Sequence, residues 1–256
     1  MANIVSESSA LEAPASALAS PATVERSRAA HAAWRSGRLA SVVGPTGNLS
    51  LIETRWLQPG DETTAQDALA GHPSTVTATE LSRTDLETGE PQRGIRLWDA
   101  NSPAIREFET ITAFPFNPDW VIEADFTPVA GERRVAFEHI RDNGGTRDLV
   151  VPGDITFSRD GVDYSLSAFD DDGTLLLVFG DATNGLPGSG GTYASGRFLF
   201  VEHVGDRVIL DFNQAFVPPC GFSDQYNCPL PPRNNRFALP VEAGEKQVVF
   251  RDGFAH

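Results

Sequence analysis

A single lysine, Lys246, stands against nineteen arginines, and 256 residues hold only two cysteines, one methionine and five histidines. Positive charge is scarce overall. Twenty Lys and Arg face 35 Asp and Glu, a formal net charge of −15. A surface this negative repels phosphate backbones and anionic lipid, which argues against nucleic-acid and membrane-surface partners. The acidity fits a high-salt habitat or, more simply, a requirement for solubility. No apolar run approaches the ~18 residues of a membrane-spanning helix. The start, Met1-Ala-Asn-Ile-Val-Ser-Glu, lacks the basic and apolar regions of a secretory signal, so the expectation is a cytoplasmic protein with reduced thiols.

The remaining scarcities narrow the chemistry. Cys220 and Cys228 do not form a C-x-x-C, and no second pair completes a zinc site. They either close a short loop as a disulfide, worth about 2 kcal/mol in the entropy model, or sit as two buried thiols beside prolines. His31, His72 and His256 fall on a helix, a polar loop and the terminus. His139 and His203 each follow a glutamate on a strand, where neighbours point to opposite faces and cannot easily share an ion. We therefore expect no metal site and no cofactor. No G-x-S-x-G elbow is present. The loop Gly185–Thr192 has glycines but no lysine and no following helix, so it reads as a flexible lid, not a phosphate cradle.

What the sequence does hold is strands and turns. Residues 1–22 are rich in Ala, Ser and Pro and read as a disordered tail, followed by a single domain over 23–256. Thr23 is a plausible cap for a helix over 24–36, ended by Gly37. From Gly44 onward, period-two runs recur. The clearest is Trp120–Phe126, with Trp120, Ile122, Ala124 and Phe126 on one face. Asp160-Gly161 and Asp172-Gly173 each separate two apolar runs, a hairpin signal. Other strands are expected over 49–57, 76–81, 94–99, 135–140, 154–157, 164–169, 175–180, 193–203, 208–212 and 246–251. A short helical turn is expected from Ser102-Pro103 towards Phe108. The fold class is all-β: an antiparallel barrel or sandwich of about ten short strands with one N-terminal helix.

The chain is organised around Asp211–Arg236. A strand runs here into a loop that holds both cysteines and five of the eighteen prolines. Prolines stiffen a loop without ladder hydrogen bonds, and rigid polar loops are where function usually sits. Arg96, Asp99, Asp181, Tyr193, Arg197, Asp211 and Asn213 are polar groups at otherwise apolar strand ends, and Cys220 and Asn235 lie in the loop itself. If the strands flanking Gly205 pair, Arg197 can meet Asp211, either as a clamp for a ligand carboxylate or as a buried structural pair.

Several longer stretches carry a resemblance. Arg93-Gly-Ile-Arg-Leu-Trp-Asp99, Phe179-Gly-Asp-Ala-Thr183, Gly196-Arg-Phe-Leu199, Leu210-Asp-Phe-Asn213, Pro218-Pro-Cys-Gly-Phe222, Cys228-Pro-Leu-Pro-Pro232 and Glu242-Ala-Gly-Glu-Lys246 resemble the domain-of-unknown-function family numbered 1684, over roughly residues 26–250. The resemblance implies a β-rich, usually cytoplasmic protein of bacteria and fungi, and implies no activity. Members carry a longer N-terminal part similar to a phosphopeptide-binding forkhead-associated sandwich. The short segment between Trp56 and Gly94 lacks that pattern, so no such function is implied here.

Three functional readings follow. The first is a small-molecule-binding β-barrel or sandwich with an aromatic-walled pocket and a polar end built from Arg96, Asp99, Tyr193, Asn213, Cys220 and Asn235. The second is a hydrolase or isomerase in the same pocket, with Asp211 or Asp181 as general base and Arg197 as oxyanion stabiliser. The third is an interaction module without a pocket.

Overall fold

A computed structural model describes residues 18–251 and residue 254. The first described helix is α1 (Pro21–Val42), followed by β1 (Leu51–Trp56), α2 (Ala65–Ala68), β2 (Val76–Thr84), β3 (Pro91–Asp99), α3 (Pro103–Glu107) and β4 (Phe108–Ala113). Next come β5 (Val121–Pro128), β6 (Arg134–Glu138), β7 (Thr146–Val150), β8 (Gly153–Arg159), β9 (Val162–Leu166), β10 (Ala168–Asp171) and β11 (Thr174–Phe179). The last strands are β12 (Arg197–Val204), β13 (Arg207–Asp211) and β14 (Glu245–Phe250). The expected all-β antiparallel fold with an N-terminal helix is present, with fourteen strands among the described residues in place of about ten.

The central element is a seven-stranded antiparallel sheet in the order β10-β11-β12-β13-β5-β8-β9. Its two edge strands, β9 and β10, are consecutive in the chain, separated only by Ser167. The sheet therefore curls until its edges nearly meet, which is how a β-sheet protects its unpaired edge groups. Every strand of this sheet points side chains into one apolar interior. The interior includes Ile122, Phe126, Ile155, Phe157, Leu166, Ala168, Leu177, Phe179, Leu199, Val201, Val208 and Leu210. The face assigned to Trp120, Ile122, Ala124 and Phe126 is the buried one, while Val121 packs outward with Ala19 and Ile209. Both Asp-Gly pairs form tight hairpins with positive φ at both residues: Asp160 (51°) and Gly161 (76°), Asp172 (50°) and Gly173 (86°). That backbone matches the right-handed twist of the flanking strands.

Three smaller sheets surround the barrel: β1-β3-β2, β14-β4 and β6-β7. A second apolar cluster joins the outer face of β11 and β12 (Val178, Phe198) to Trp98, Phe137, Tyr226 and Cys228. Among the described residues, no helix is long and apolar enough to cross a membrane.

Several boundaries differ from the sequence reading. α1 runs past Gly37 to Val42 and is capped by Ser20, whose hydroxyl accepts from Thr23 N at 3.2 Å. Leu18 and Ala19, assigned to the tail, pair with the end of the barrel: Leu18 bridges Ile122 and Ala19 N donates to Val121 O at 3.0 Å. The rest of the expected tail, 1–17, lies outside the described residues. The run 164–169 splits at Ser167, the run 193–203 becomes a strand only at Arg197, and β4 and β7 lie where no strand was expected.

Candidate functional site

The expected Arg197–Asp211 contact does not form. In the β12–β13 ladder Glu202 lies opposite Ile209 and Val204 opposite Arg207, a register that carries Arg197 past the end of β13. Arg197 instead lies opposite Phe179 in β11, which brings it to the Asp181 that follows that strand. Arg197 Nη2 donates to Asp181 Oδ2 at 2.8 Å and to Val241 O at 2.8 Å, and Nη1 donates to Ala243 O and to Glu245 O at 3.2 Å. Asp181 Oδ1 accepts from Thr183 N at 2.8 Å, Thr183 Oγ1 at 2.6 Å and Val241 N at 3.2 Å. Burial pulls the Arg197 guanidinium below its usual range while Asp181 pulls it back. The role suggested for Arg197, an oxyanion stabiliser facing a ligand, is not available to a side chain with no exposed surface.

Asp211 sits elsewhere, under α1. Its carboxylate accepts from Ser27 Oγ, from Asn213 N at 3.1 Å and Asn213 Nδ2 at 3.0 Å, and from Gln214 Nε2 at 3.0 Å. Asn213 in turn binds the backbone of Asn117, accepting from its N at 2.7 Å and donating to its O at 2.9 Å. Both candidate bases thus have their lone pairs taken by protein donors, which leaves neither poised to accept a substrate proton. A hollow of about 220 Å³ beside Asp211, between α1 and β12, is bordered by Thr23, Ser27, Phe200 and Gln214.

The other candidates separate as well. Arg96 stacks over Tyr226 (5.1 Å) and Trp98 (5.9 Å) in the outer cluster. Asp99 closes the turn after β3 by accepting from Asn101 N at 2.9 Å. Tyr193 Oη donates to Cys220 O at 3.1 Å, and burial raises its phenol pKa. Cys220 and Cys228 are both free thiols. Asn235 fills the gap where the barrel edges meet. Its Oδ1 accepts from Ser167 N at 2.9 Å, and its Nδ2 donates to Ser167 O and Val178 O at 2.8 Å each.

Among the described residues, the barrel's interior rings pack against one another and do not wall a pocket. Phe212 lies edge-on to Trp120 (5.4 Å), Phe179 (5.1 Å) and Phe237 (5.6 Å), the packing aromatic rings favour in a solid core. Open space lies instead above the Asp181–Arg197 pair. A cleft of about 540 Å³ is lined by Gly180–Ala182, Asn184, Ala194–Gly196, Leu230 and Arg236–Ala238. Its walls are largely backbone and small residues. Gly196 has φ +97°, and a Cβ there would come within 2.6 Å of Phe179 O and of Pro231 Cγ. Asn184 holds one rim. Its Oδ1 accepts from Asp181 N at 2.6 Å, and its Nδ2 donates to Thr192 Oγ1 at 2.8 Å.

The cleft is also lined by Arg236, an exposed guanidinium that makes no side-chain hydrogen bond or ion pair among the described residues. Sequence reasoning passed over Arg236, although an arginine closing a proline-rich loop in so acidic a chain was a visible signal. The glycine-rich loop beside the cleft is not a free lid. Gly185 N donates to Thr192 O, Thr192 N to Thr183 O, and Lys246 Nζ holds Ser189 O at 2.7 Å.

A second buried charge cluster was also missed. Glu245 Oε1 meets Arg35 Nη1 at 3.2 Å and Arg38 Nε at 3.3 Å, while Oε2 accepts from Val217 N at 2.9 Å. Among the described residues, no group of three or more His, Cys, Asp or Glu is placed to hold a metal ion.

No curated protein matches the chain. A solution structure of an uncharacterized protein from Haloarcula marismortui is similar, with 32% identity over 54% of this chain and 77% of that one, at a TM-score of 0.43. The model of the family described as protein of unknown function (DUF1684) matches residues 106–246. That span takes in the curled sheet, the Asp181–Arg197 pair and the cleft above it, and the chain belongs to the DUF1684 family.

Proposed function

We propose that the protein binds a small polar anion, a carboxylate or phosphate ester, in the cleft bounded by Gly180–Ala182, Ala194–Gly196 and Arg236. The observation that carries this reading is Arg236, an unpaired guanidinium at the rim of a cleft of about 540 Å³, in a chain with a net charge of −15. Most arginines in such a chain find a carboxylate. One that stays free beside a concave, backbone-lined surface is suited to a bidentate contact with an incoming anion. The cleft's size suits a metabolite-sized ligand. The reading is of binding without turnover, since Asp181 and Asp211 spend their lone pairs on protein donors.

The test is a thermal-shift screen of small carboxylates and phosphate monoesters against the wild type and Arg236→Ala. Arg236 is exposed and makes no side-chain hydrogen bond or ion pair among the described residues, so the variant should melt like the wild type. A ligand at about a hundredfold its dissociation constant should raise the wild-type midpoint by about 5 °C. The shift should vanish in the variant. Equal shifts in both proteins, or no shift with any anion, would overturn the reading.

A further inference from the structure

We propose that Cys220 and Cys228 form a modification site, a thiol pair that hydroperoxides oxidise to an intramolecular disulfide and that reductants reopen. The two sulfurs already lie together. Cys220 N donates to Cys228 Sγ at 3.3 Å, so the Cys228 sulfur rests against the residue that carries the other thiol. The fold holds each thiol from its own side. The turn Pro219–Gly221 carries Cys220, and Gly221 is needed there because a Cβ would lie 2.4 Å from Val217 Cγ1. Cys228 is fixed by Ile140 N, which donates to its carbonyl at 3.0 Å. The 3.3 Å contact of Cys228 Sγ with the Cys220 backbone puts that sulfur within a side-chain rotation of the Cys220 thiol.

The pair is also asymmetric. Cys220 is half-buried and Cys228 is 5% exposed, so peroxide meets Cys220 first. The hydrogen bond with Cys228, aided by Tyr193 and the charge of Arg141, draws the Cys220 thiol below its ordinary value against the pull of burial. The same contact, with burial, pushes Cys228 well above it. Arg141 and Arg96 both lie against the loop between the cysteines, with Arg141 Nε donating to Tyr226 O at 2.9 Å and Arg96 over the Tyr226 ring. Electropositive surroundings of this kind favour thiolate.

The chemistry closes on these atoms. Cys220 thiolate attacks the peroxide. An S–O bond forms, the O–O bond breaks, and the departing oxide takes up a proton. Cys228 then attacks the sulfenic sulfur. The S–S bond forms, the S–O bond breaks, and the leaving hydroxide departs as water with the Cys228 proton. Two thiols lose two electrons, and one hydroperoxide is reduced.

The experiment is hydrogen peroxide treatment of the folded chain, followed by intact mass and thiol titration. The wild type should lose the mass of two hydrogens and both thiols together, and recover them with dithiothreitol. Cys228→Ser should stop one oxygen atom heavier and be trapped by dimedone, while Cys220→Ser should stay unmodified. The native pair should close about tenfold faster than the same chain unfolded in guanidinium, because folding holds the thiols together. Native thiols that survive peroxide while unfolded ones oxidise would overturn the proposal, as would Cys220→Ser reacting as fast as Cys228→Ser. If either variant fails to fold, the native-to-unfolded rate ratio of the wild type decides alone.

Discussion

Arg197 Nη2 donates to Asp181 Oδ2 over 2.8 Å, with neither side chain touching solvent. The pair joins β12 to the loop after β11, and through Val241 and Ala243 to the segment before β14. Removing one partner strands the other charge in the interior, so Arg197→Ala or Asp181→Ala should cost about 3–5 kcal/mol. In a double-mutant cycle read by urea melting, Arg197 and Asp181 should couple strongly. Arg197 and Asp211 share no contact, and their effects should add to within about 0.5 kcal/mol. Coupling of Arg197 to Asp211 as large as to Asp181 would contradict the register described above.

Glu245 sets a pH dependence. Burial raises its carboxyl above the ordinary 4.5, and Arg38 and Arg35 only partly restore it. A raised folded-state pKa means that the folded protein binds the proton more tightly than the unfolded chain. Glu245's contribution is thus fully present below its unfolded pKa and is lost as pH rises through its folded pKa. The stability of the wild type relative to Glu245→Gln should fall as pH climbs through that window, then level off. Denaturant melts of both proteins at matched pH steps check this. A wild type that gains on the variant with rising pH would show that the arginines outweigh the burial.

The first described residues should matter to stability. A deletion ending at residue 22 removes the Ala19–Val121 backbone bond and the Ser20 cap, and should cost about 2 kcal/mol relative to one ending at residue 17. Ser20→Ala alone should cost about 1 kcal/mol. Equal melting of the two truncations would show that Leu18–Ser20 contribute nothing.

Asn235 and Asn234 are adjacent, yet their loss should differ sharply. Asn235 is fully buried and makes three bonds to backbone across the barrel seam. Asn235→Ala should cost about 3 kcal/mol or more, since each abandoned buried group costs 1–3 kcal/mol. Asn234 is exposed and bonds to Ser165 O and Ser167 Oγ, so Asn234→Ala should cost about 1 kcal/mol or less. Equal losses would mean that the seam is not held by the Asn235 side chain.

The all-β fold is legible in the chain because period-two alternation and Asp-Gly turns are local signals, and Trp120–Phe126 and both hairpins carry them. Asn235 reads from the sequence as a ligand contact, whereas its side chain serves the backbone of Ser167 and Val178, as a proline-rich loop requires of its side chains. The partner of Arg197 is not legible. Period two places Arg197 on a face, but which residue lies opposite depends on which strands pair, and the ladder to β11 decides that. The pocket's nature was hidden for a similar reason. An aromatic count does not distinguish rings that wall a cavity from rings that fill it. Arg236 stands in view at the end of the proline-rich loop, but its being unpaired is a property of three-dimensional surroundings.

Backbone amide and arginine Nε chemical shifts, followed while the wild type is titrated with the most stabilising anion from the thermal screen, test the binding cleft most directly. The account requires saturable shifts at Gly180–Ala182, Ala194–Gly196 and Arg236 Nε, with the hollow beside Asp211 silent and the response abolished in Arg236→Ala. Shifts centred on Ser27, Phe200 and Asp211, or a response that survives in Arg236→Ala, would contradict it.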